Sequence, residues 1–167
     1  MIIILVGQWS SATTYNIIEN FNNGFGLNRE CNVTDIIKKY GKPKQVLLLK
    51  ESIGNSLQKN CAMKKKYVYD GMSFEFIQNK KNEFIILNIE VSKNKWIEQN
   101  KLIGQDLKKI EMLLKDAIQT LPINERTVYG VELANLEIHF YFASDLAYLY
   151  FDNRNKLRKI SVWYYQE

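Results

Sequence analysis

The chain has few residues that could carry acid–base or nucleophilic chemistry. His139 is the only histidine among 167 residues, so a Ser–His or Cys–His catalytic arrangement would have to use it. It stands between Ile138 and Phe140, in a segment that reads as a strand. No serine lies in a nucleophile-elbow motif, and neither Cys31 nor Cys61 has a recognisable catalytic setting. We therefore expect a protein that is not an enzyme, with no catalytic residue.

Metal-binding patterns are also missing from the sequence. A usual zinc site needs a cluster of Cys and His side chains, which one histidine and two distant cysteines do not provide. Asp145, Asp152 and Asn153 lack the spacing of a calcium loop, so we expect them to be turn residues. The segment 24–26 (Gly-Phe-Gly) is too short for a dinucleotide-binding fingerprint. The sequence thus predicts neither a metal nor a cofactor.

Two groups of charged residues have a possible chemical use. Glu75 and Glu90 would face each other across strands in an acid–base site, and the lysine run 64–66 could contact phosphate groups. Carboxylates on sheet faces and short lysine runs are more often solvated. We expect solvated side chains in both groups.

Composition and charge describe a packed domain. Apolar residues make up 46% of the chain and only two residues are proline, which is typical of a folded globule that needs no metal or disulfide. The net charge is +5, and residues 1–84 hold twelve Lys or Arg against seven Asp or Glu. No nucleic-acid-binding motif accompanies this charge, so we expect no nucleic-acid partner.

The apolar start of the chain, residues 2–6, is too short for a signal peptide core or a membrane span. We expect a strand there. If Met1 is the natural start, the prediction is a cytoplasmic protein; otherwise it is a periplasmic or secreted one. Cys31 and Cys61 are too few for a disulfide framework, and spacing does not decide between one bridge and two free thiols.

Apolar residues at helical spacing predict the helices. A short helix is expected over 14–21 and a better marked one over 33–40, capped by Asn32 or Thr34 and ended by Gly41 before Pro43. The apolar face of that second helix would hold Val33, Ile36, Ile37 and Tyr40. The third helix begins near Gly104, with apolar residues at intervals of 4, 3, 4, 3 and 4: Ile103, Leu107, Ile110, Leu114, Ala117 and Leu121.

Alternation with a period of two predicts antiparallel strands after the last two helices. Loops are expected at 22–26 and 52–62, a hairpin turn at Asp70-Gly71 and polar turns at 79–82 and 152–155. In the strand 84–91 we expect Ile85, Leu87, Ile89 and Val91 on one face. The predicted strands are 46–49, 66–69, 73–76, 84–91, 127–133, 136–143, 147–151 and 157–165.

The order of these elements predicts an internal repeat within one domain. Residues 1–167 read as a single α+β domain, with an N-terminal segment 1–32, a first helix-plus-strands unit 33–91 and a second unit 104–165. Because neither helix can bury its apolar stripe alone, we expect both to pack on one face of an antiparallel sheet.

Three segments carry a resemblance to a known fold family: 33–43 with its Gly-x-Pro ending, 69–76 with its Tyr-Asp-Gly turn, and 103–110 with its Ile-Gly entry to a helix. The layout resembles the fold shared by β-lactamase inhibitor protein and the SmpA/OmlA-type envelope lipoproteins, over about three-quarters of the chain. That resemblance implies tandem units of a helical segment and four strands. It also implies a module that binds another protein through its sheet face or loops.

Aromatic residues mark the expected binding surface on the last strands. One face of these strands should pack on the helices, and the other should present Tyr, Trp and His to solvent as an interaction patch. The predicted partner-binding residues are His139, Tyr141, Tyr148, Tyr150, Trp163 and Tyr165. The first hypothesis is an inhibitor or immunity protein with one protein partner, such as a toxin. An envelope assembly module and a small-ligand carrier are the alternatives.

Overall fold

The structure is a computed structural model that describes residues 21, 31–49, 63–78, 83–96, 101–142 and 145–164. The predicted strand 2–6, the loops 22–26 and 52–62 and the turn 79–82 lie outside these ranges, as do Cys61 and Tyr165. Of the predicted helix 14–21, the structure describes Phe21, which is helical and fully buried. Cys31 is a partly buried free thiol.

Within these ranges the chain alternates a helix with a set of strands. No helix in this part of the chain is long and apolar enough to cross a membrane. The elements are α1 (Val33–Tyr40), β1 (Gln45–Leu49), β2 (Lys64–Tyr69), β3 (Met72–Gln78), β4 (Phe84–Val91), a short 3-10 helix (Asn94–Trp96), α2 (Leu107–Thr120), α3 (Ile123–Arg126), β5 (Tyr129–Ala134), β6 (Glu137–Phe142), β7 (Asp145–Phe151) and β8 (Leu157–Trp163).

The strands form one antiparallel sheet in the order β1-β2-β3-β4-β8-β7-β6-β5. Strands β1–β4 and β5–β8 are each a meander in chain order, and the two meanders join where β4 pairs with β8. Helix α1 precedes the first meander and α2 precedes the second. The predicted α+β class with an antiparallel sheet is confirmed, while the origin of its halves by duplication stays a prediction.

Both long helices pack on the same face of the sheet. The ring of Tyr40 in α1 lies 5.5 Å from Phe74 and 6.2 Å from Tyr69, measured between centroids. Ile110 and Leu114 of α2 are fully buried in the same apolar cluster as Phe74. Burial of these stripes removes apolar surface from water and stabilises the folded state by about 25 cal/mol per Å² of that surface. This hydrophobic contribution is the main one that holds the helices on the sheet.

The ends of α1 follow the sequence signals. The side chain of Asn32 accepts a hydrogen bond from the Asp35 N–H, and the Asp35 carboxylate accepts one from the Asn32 N–H, each at 3.1 Å. Gly41 ends the helix with φ +77°, a conformation that glycine adopts without steric cost. The predicted apolar face of α1 is wrong at Ile37, which is 39% exposed, whereas Ile36 is fully buried.

The spacing predicted for α2 is confirmed. Leu107, Ile110, Leu114 and Ala117 are all buried, and so is Leu121 just beyond the helix. The helix begins at Leu107, later than the predicted start near Gly104, because the backbone at Gly104 has φ +92° and interrupts a helical path. The short α3 after Pro122 was not predicted.

The side chains predicted to share one face of β4 do not do so in the first half of the strand. Phe76 pairs with Ile86 and Glu75 with Asn88, so one residue of β4, Leu87, has no opposite residue in β3. This β-bulge moves the side chains that precede it to the other face. Ile86 is therefore buried together with Ile89 and Val91, whereas Ile85 and Leu87 are only partly buried.

Candidate functional site

The sheet face away from α1 and α2, here called the open face, carries the predicted binding residues. In β6–β8 the core side chains alternate with polar and aromatic ones, and the residues of the open face are opposite one another on neighbouring strands. The structure places five of the six predicted residues there, and Tyr165 lies outside the described part. These five, here called the aromatic face, are His139, Tyr141, Tyr148, Tyr150 and Trp163.

Three members of the aromatic face are in direct ring contact. His139 in β6 is opposite Tyr148 in β7, and their ring centroids are 4.9 Å apart in an edge-to-face arrangement. Tyr148 and Tyr150 are 6.2 Å apart with their rings 24° from parallel. Glu137 is opposite Tyr150, and its carboxylate lies 3.3 Å from Nε2 of His139. Each ring thus limits the rotamers of the next, which holds this part of the surface in one shape.

Tyr141 and Trp163 occupy the neighbouring row of the same face. Leu146 of β7 lies between them, opposite Tyr141 on one side and Trp163 on the other. The Tyr141 ring passes over Gly130, where an added Cβ would meet it at 3.6 Å, and its hydroxyl donates to Glu132 at 3.0 Å. The two rows are neighbours on the open face and extend over β6, β7 and β8.

The aromatic face is less open than predicted. Tyr141 is 39% exposed, but the other four residues of the face are only partly exposed. His139 keeps 22% of its side-chain surface in solvent. The reason is that large rings on adjacent strands stand only about 5 Å apart and cover one another. The expected open patch is therefore a half-buried surface.

The first-meander half of the open face is charged. Glu90 accepts hydrogen bonds from Lys66 Nζ at 2.6 Å and Ser73 Oγ at 3.0 Å, and Lys159 Nζ lies 3.3 Å from its other oxygen. Lys159 also stands 4.4 Å above the Tyr150 ring, which joins this cluster to the aromatic face. We call these four residues, Lys66, Ser73, Glu90 and Lys159, the charged cluster.

The prediction that the side chains of Glu75, Glu90 and the lysine run are solvated was wrong for Lys64 and for the Lys66–Glu90 pair. Lys64 is only 7% exposed and its Nζ lies 3.9 Å from the Glu75 carboxylate, while Lys66 binds Glu90. Glu75 and Glu90 do lie on the same face, but each carboxylate is held by a lysine. This pairing allows long charged side chains to be buried on a sheet face, because each charge meets one of opposite sign.

Local electrostatics fix the protonation states of two residues of the open face. Burial alone would raise the pKa of Glu90, but the hydrogen bond and charge of Lys66, with Lys159 and Ser73, outweigh it and lower that pKa below its usual value. Burial raises the pKa of Tyr150, and the carboxylates of Glu137 and Glu90 raise it further. Glu90 is therefore an anion at neutral pH, and Tyr150 is a neutral hydroxyl that can donate a hydrogen bond.

Two residues at the centre of the open face were not predicted. Asn88 and Ser161 are 2% and 3% exposed, and the Asn88 amide donates to Ser161 Oγ at 2.8 Å and to the Val162 carbonyl at 3.1 Å. Ser161 lies between Glu90 and Tyr148 in the sheet. A polar residue within the apolar run 84–91 was the available signal. These hydrogen bonds cross from β4 to β8 and join the two meanders.

The described residues offer no metal centre. In these ranges no three His, Cys, Asp or Glu side chains are close enough to hold an ion. Asp152 is a turn residue as predicted, since its Oδ1 accepts from the N–H groups of Arg154 and Lys156, each at 2.9 Å. Asp145 is not a turn residue, because it is buried at the start of β7.

No family model matches the chain, and no curated protein matches it. Among solved structures it is similar to a DUF4309 family protein from Bacillus subtilis subsp. subtilis str. 168, at 13% identity over 93% of this chain and 98% of that one. It is also similar to a cysteine-rich secretory protein from Staphylococcus aureus subsp. aureus Mu50, at 14% identity over 79% of this chain.

The chain spans 43% of the length of the staphylococcal protein. Both similarities have a TM-score of 0.44. Similarity at this level does not establish a family, and neither name is transferred to this protein.

Proposed function

We propose that the protein is a non-catalytic binding module, an inhibitor or immunity protein that neutralises one partner protein, such as a toxin or an enzyme, by covering part of its surface. The observation that carries the proposal is the aromatic face. It combines three Tyr, one Trp and one His on three adjacent strands, and the rings of His139, Tyr148 and Tyr150 contact one another.

Side chains of this kind suit tight protein binding. Tyr and Trp bring a large apolar area and a polar group, and alanine scans find them enriched among the residues that contribute most to interfaces. Because the rings of His139, Tyr148 and Tyr150 already contact one another, a partner would restrict few additional rotamers on binding. Binding then loses less conformational entropy than on a mobile surface.

A polar border surrounds this apolar centre. Glu132 and Glu137 lie on the β5–β6 side and Lys159 on the β8 side. An apolar centre with a polar rim is the usual anatomy of a specific interface. The neutral Tyr150 hydroxyl and the acidic side chains would hydrogen-bond to donors and acceptors of the partner, which favours one partner over many. The resemblance of the sequence to the fold shared by β-lactamase inhibitor protein and the SmpA/OmlA-type lipoproteins also implies a module that binds a protein, through its sheet face or its loops.

The proposal is tested by a pull-down followed by measurements on purified components. The tagged protein captures the partner from its native lysate, and calorimetry then gives the affinity and stoichiometry. The variant is His139→Ala/Tyr148→Ala. The control is Met112→Ala/Ile123→Ala, which removes apolar side chains that are 63% and 80% exposed on α2 and α3.

We expect a one-to-one complex whose affinity falls at least about thirtyfold in the face variant, as for loss of a residue worth about 2 kcal/mol or more. The control variant should bind like the wild type, and the partner should lose its activity in the complex. A partner that stays active in the complex would contradict inhibition. Equal affinity of the two variants would contradict the aromatic face as the binding surface.

A further inference from the structure

Strand β1 is the edge strand of the sheet on the side of the first meander. It pairs with β2 over Gln45–Leu49, and the described residues place no strand on its other side. Every second N–H and C=O group along such an edge points away from the sheet. An edge of this kind can pair with an extended segment of another chain.

The exposed side chains of β1 are unusually apolar for an edge. Leu48 is 67% exposed and Val46 is 48% exposed, both far more than the core residues of the neighbouring strands. Val46 is opposite Tyr67, which belongs to the core face, so these two side chains extend the core face past the area that the helices cover. An added strand would find two adjacent apolar contacts there.

The same edge carries excess positive charge. Asp70, in the turn after β2, is shared by three lysines: Lys93 Nζ at 2.6 Å, Lys95 Nζ at 3.0 Å and Lys44 Nζ at 4.0 Å. One carboxylate cannot neutralise three ammonium groups, and Lys44, directly before β1, keeps 70% of its side chain exposed. Hydrogen bonds from Lys93 and Lys95 lower the pKa of Asp70 well below its usual value, so the arrangement persists at neutral pH.

The lysine in the middle of the neighbouring strand points away from the edge. Lys65 in β2 is opposite Leu48, but its Nζ lies 4.3 Å from the centroid of the Phe84 ring in β4, two strands further into the sheet. The positive charge of the edge is therefore that of Lys44 and the lysines that share Asp70, at the end of β1 next to Val46, and an acidic residue of an added segment complements it there.

We propose that β1 is a second binding surface, which takes up an extended acidic segment of another protein as an additional β-strand. Main-chain hydrogen bonds to the edge of β1 supply affinity, and alternate apolar side chains of the segment pack on Val46 and Leu48. An acidic residue at its end meets Lys44. This surface lies at the β1 edge, whereas the aromatic face lies on β6–β8, so the two sites can be occupied independently.

A second copy of the chain is a poorer occupant. Antiparallel pairing of two β1 strands centred on Leu47 would set Val46 against Leu48 of the other copy. Each copy would also bring Lys44, whose side chain is 70% exposed, to the shared edge. Lysines at strand edges oppose edge-to-edge association.

The test uses a labelled synthetic peptide, Asp-Asp-Val-Thr-Val-Thr-Val-Asp-Asp, with fluorescence anisotropy for affinity and hydrogen–deuterium exchange for position. One control peptide has lysine in place of each aspartate, and another has the same sequence with N-methylated backbone amides. The variant is Val46→Thr/Leu48→Thr, which keeps a strand-forming residue at both positions. Its matched control is Leu133→Thr on β5 at the opposite edge, where Leu133 is 48% exposed.

We expect the acidic peptide to bind and to slow amide exchange in β1, with affinity at least about tenfold lower for the β1 variant, a loss of about 1.4 kcal/mol. Leu133→Thr and the aromatic-face variant should bind it like the wild type. Equal binding of the acidic and lysine peptides, binding of the N-methylated peptide, or protection outside β1 would each overturn the proposal. So would slower β1 exchange that depends on protein concentration alone, since it indicates self-association.

Discussion

Replacing Glu90 by glutamine tests whether the charged cluster stabilises the open face. The substitution keeps the shape of the side chain and removes its charge. In the wild type the Glu90 carboxylate binds Lys66 at 2.6 Å, Ser73 at 3.0 Å and Lys159 at 3.3 Å. After the substitution, two lysines lose their anionic partner on a face where Lys66 has only 25% of its side chain exposed.

The size of the effect follows from this burial. Breaking a fully buried ion pair costs about 3–5 kcal/mol, and an exposed pair contributes at most about 1 kcal/mol. Glu90 and Lys66 have about a quarter of their side chains exposed and lie between these limits. We expect Glu90→Gln to lower the free energy of unfolding by about 2 kcal/mol at pH 7. For a chain of this length, each kcal/mol changes Tm by about 2–4 °C, so the expected loss is about 4–8 °C.

The effect should depend on pH in a defined direction. The pKa of Glu90 is lower in the folded protein than in the unfolded chain, where it is about 4.3. The stabilisation is therefore fully present above the unfolded-state pKa and is lost as the pH falls through the folded-state pKa. We expect the stability difference between wild type and Glu90→Gln to be constant from about pH 7 to pH 5 and to shrink below about pH 4.

Urea denaturation at several pH values measures this difference, with Glu111→Gln as the matched control. Glu111 also binds a lysine at 2.6 Å, but its partner Lys115 is 57% exposed and the pair spans one turn of α2. Such a pair contributes about 0.5 kcal/mol or less. Equal losses for the two substitutions, or a Glu90 effect that does not change down to about pH 3, would refute the reasoning.

Five further substitutions, at four positions, test the fold. Gly71→Ala should lower the free energy of unfolding, measured by urea denaturation, by about 1–2 kcal/mol. The reason is that Gly71 has φ +82° and an added Cβ would lie 2.5 Å from Cγ of Lys93. An unchanged urea midpoint would contradict the turn geometry. Ile86→Ala should cost about 2–5 kcal/mol and Ile85→Ala about 1 kcal/mol or less, and the reverse order would argue against the bulge in β4. Asn32→Ala should lower the free energy of unfolding, measured by thermal unfolding, by about 1 kcal/mol. Asn32→Ser should retain most of the wild-type stability, because serine can also cap the helix. Equal stability of the Ala and Ser variants would argue against the cap.

Helices α1 and α2 and most strands could be predicted because their signals are local. The interval pattern of α2 is specified by residues three or four apart, and the cap at Asn32 and the stop at Gly41 are adjacent in sequence to the helix they bound. The Asp70-Gly71 turn fixes the pairing of β2 with β3 in the same way. Each of these features depends on a few neighbouring residues.

What could not be predicted depends on partners distant in sequence. The run 84–91 alternates well enough to hide the bulge, which appears only when β4 is paired with β3. The apolar residues of β1 suggested an ordinary strand, and the sequence gives no sign that Leu48 would lie exposed at a sheet edge. We expected a solvated Lys64 because its partner Glu75 is on the next strand and not close to it in sequence.

The candidate site shows the same division. Alternation predicted that His139 in β6 and Trp163 in β8 lie on the face away from the helices, and the structure agrees. The sequence did not determine which face holds Tyr148 and Tyr150, and the structure places both on the open face. The degree of exposure depends on how rings from different strands cover one another, and that was predicted too high. The charged cluster and the Asn88–Ser161 hydrogen bond combine residues from both halves of the chain, so no local pattern announces them.

Site-specific photocrosslinking tests the central claim most directly. A benzophenone amino acid replaces Tyr141, the most exposed residue of the aromatic face, and in a second variant it replaces Ile123 on α3, which is 80% exposed. The account predicts that irradiation of the complex joins the partner to the protein through position 141 and not through position 123. Crosslinking through position 123 with none through position 141 would contradict it.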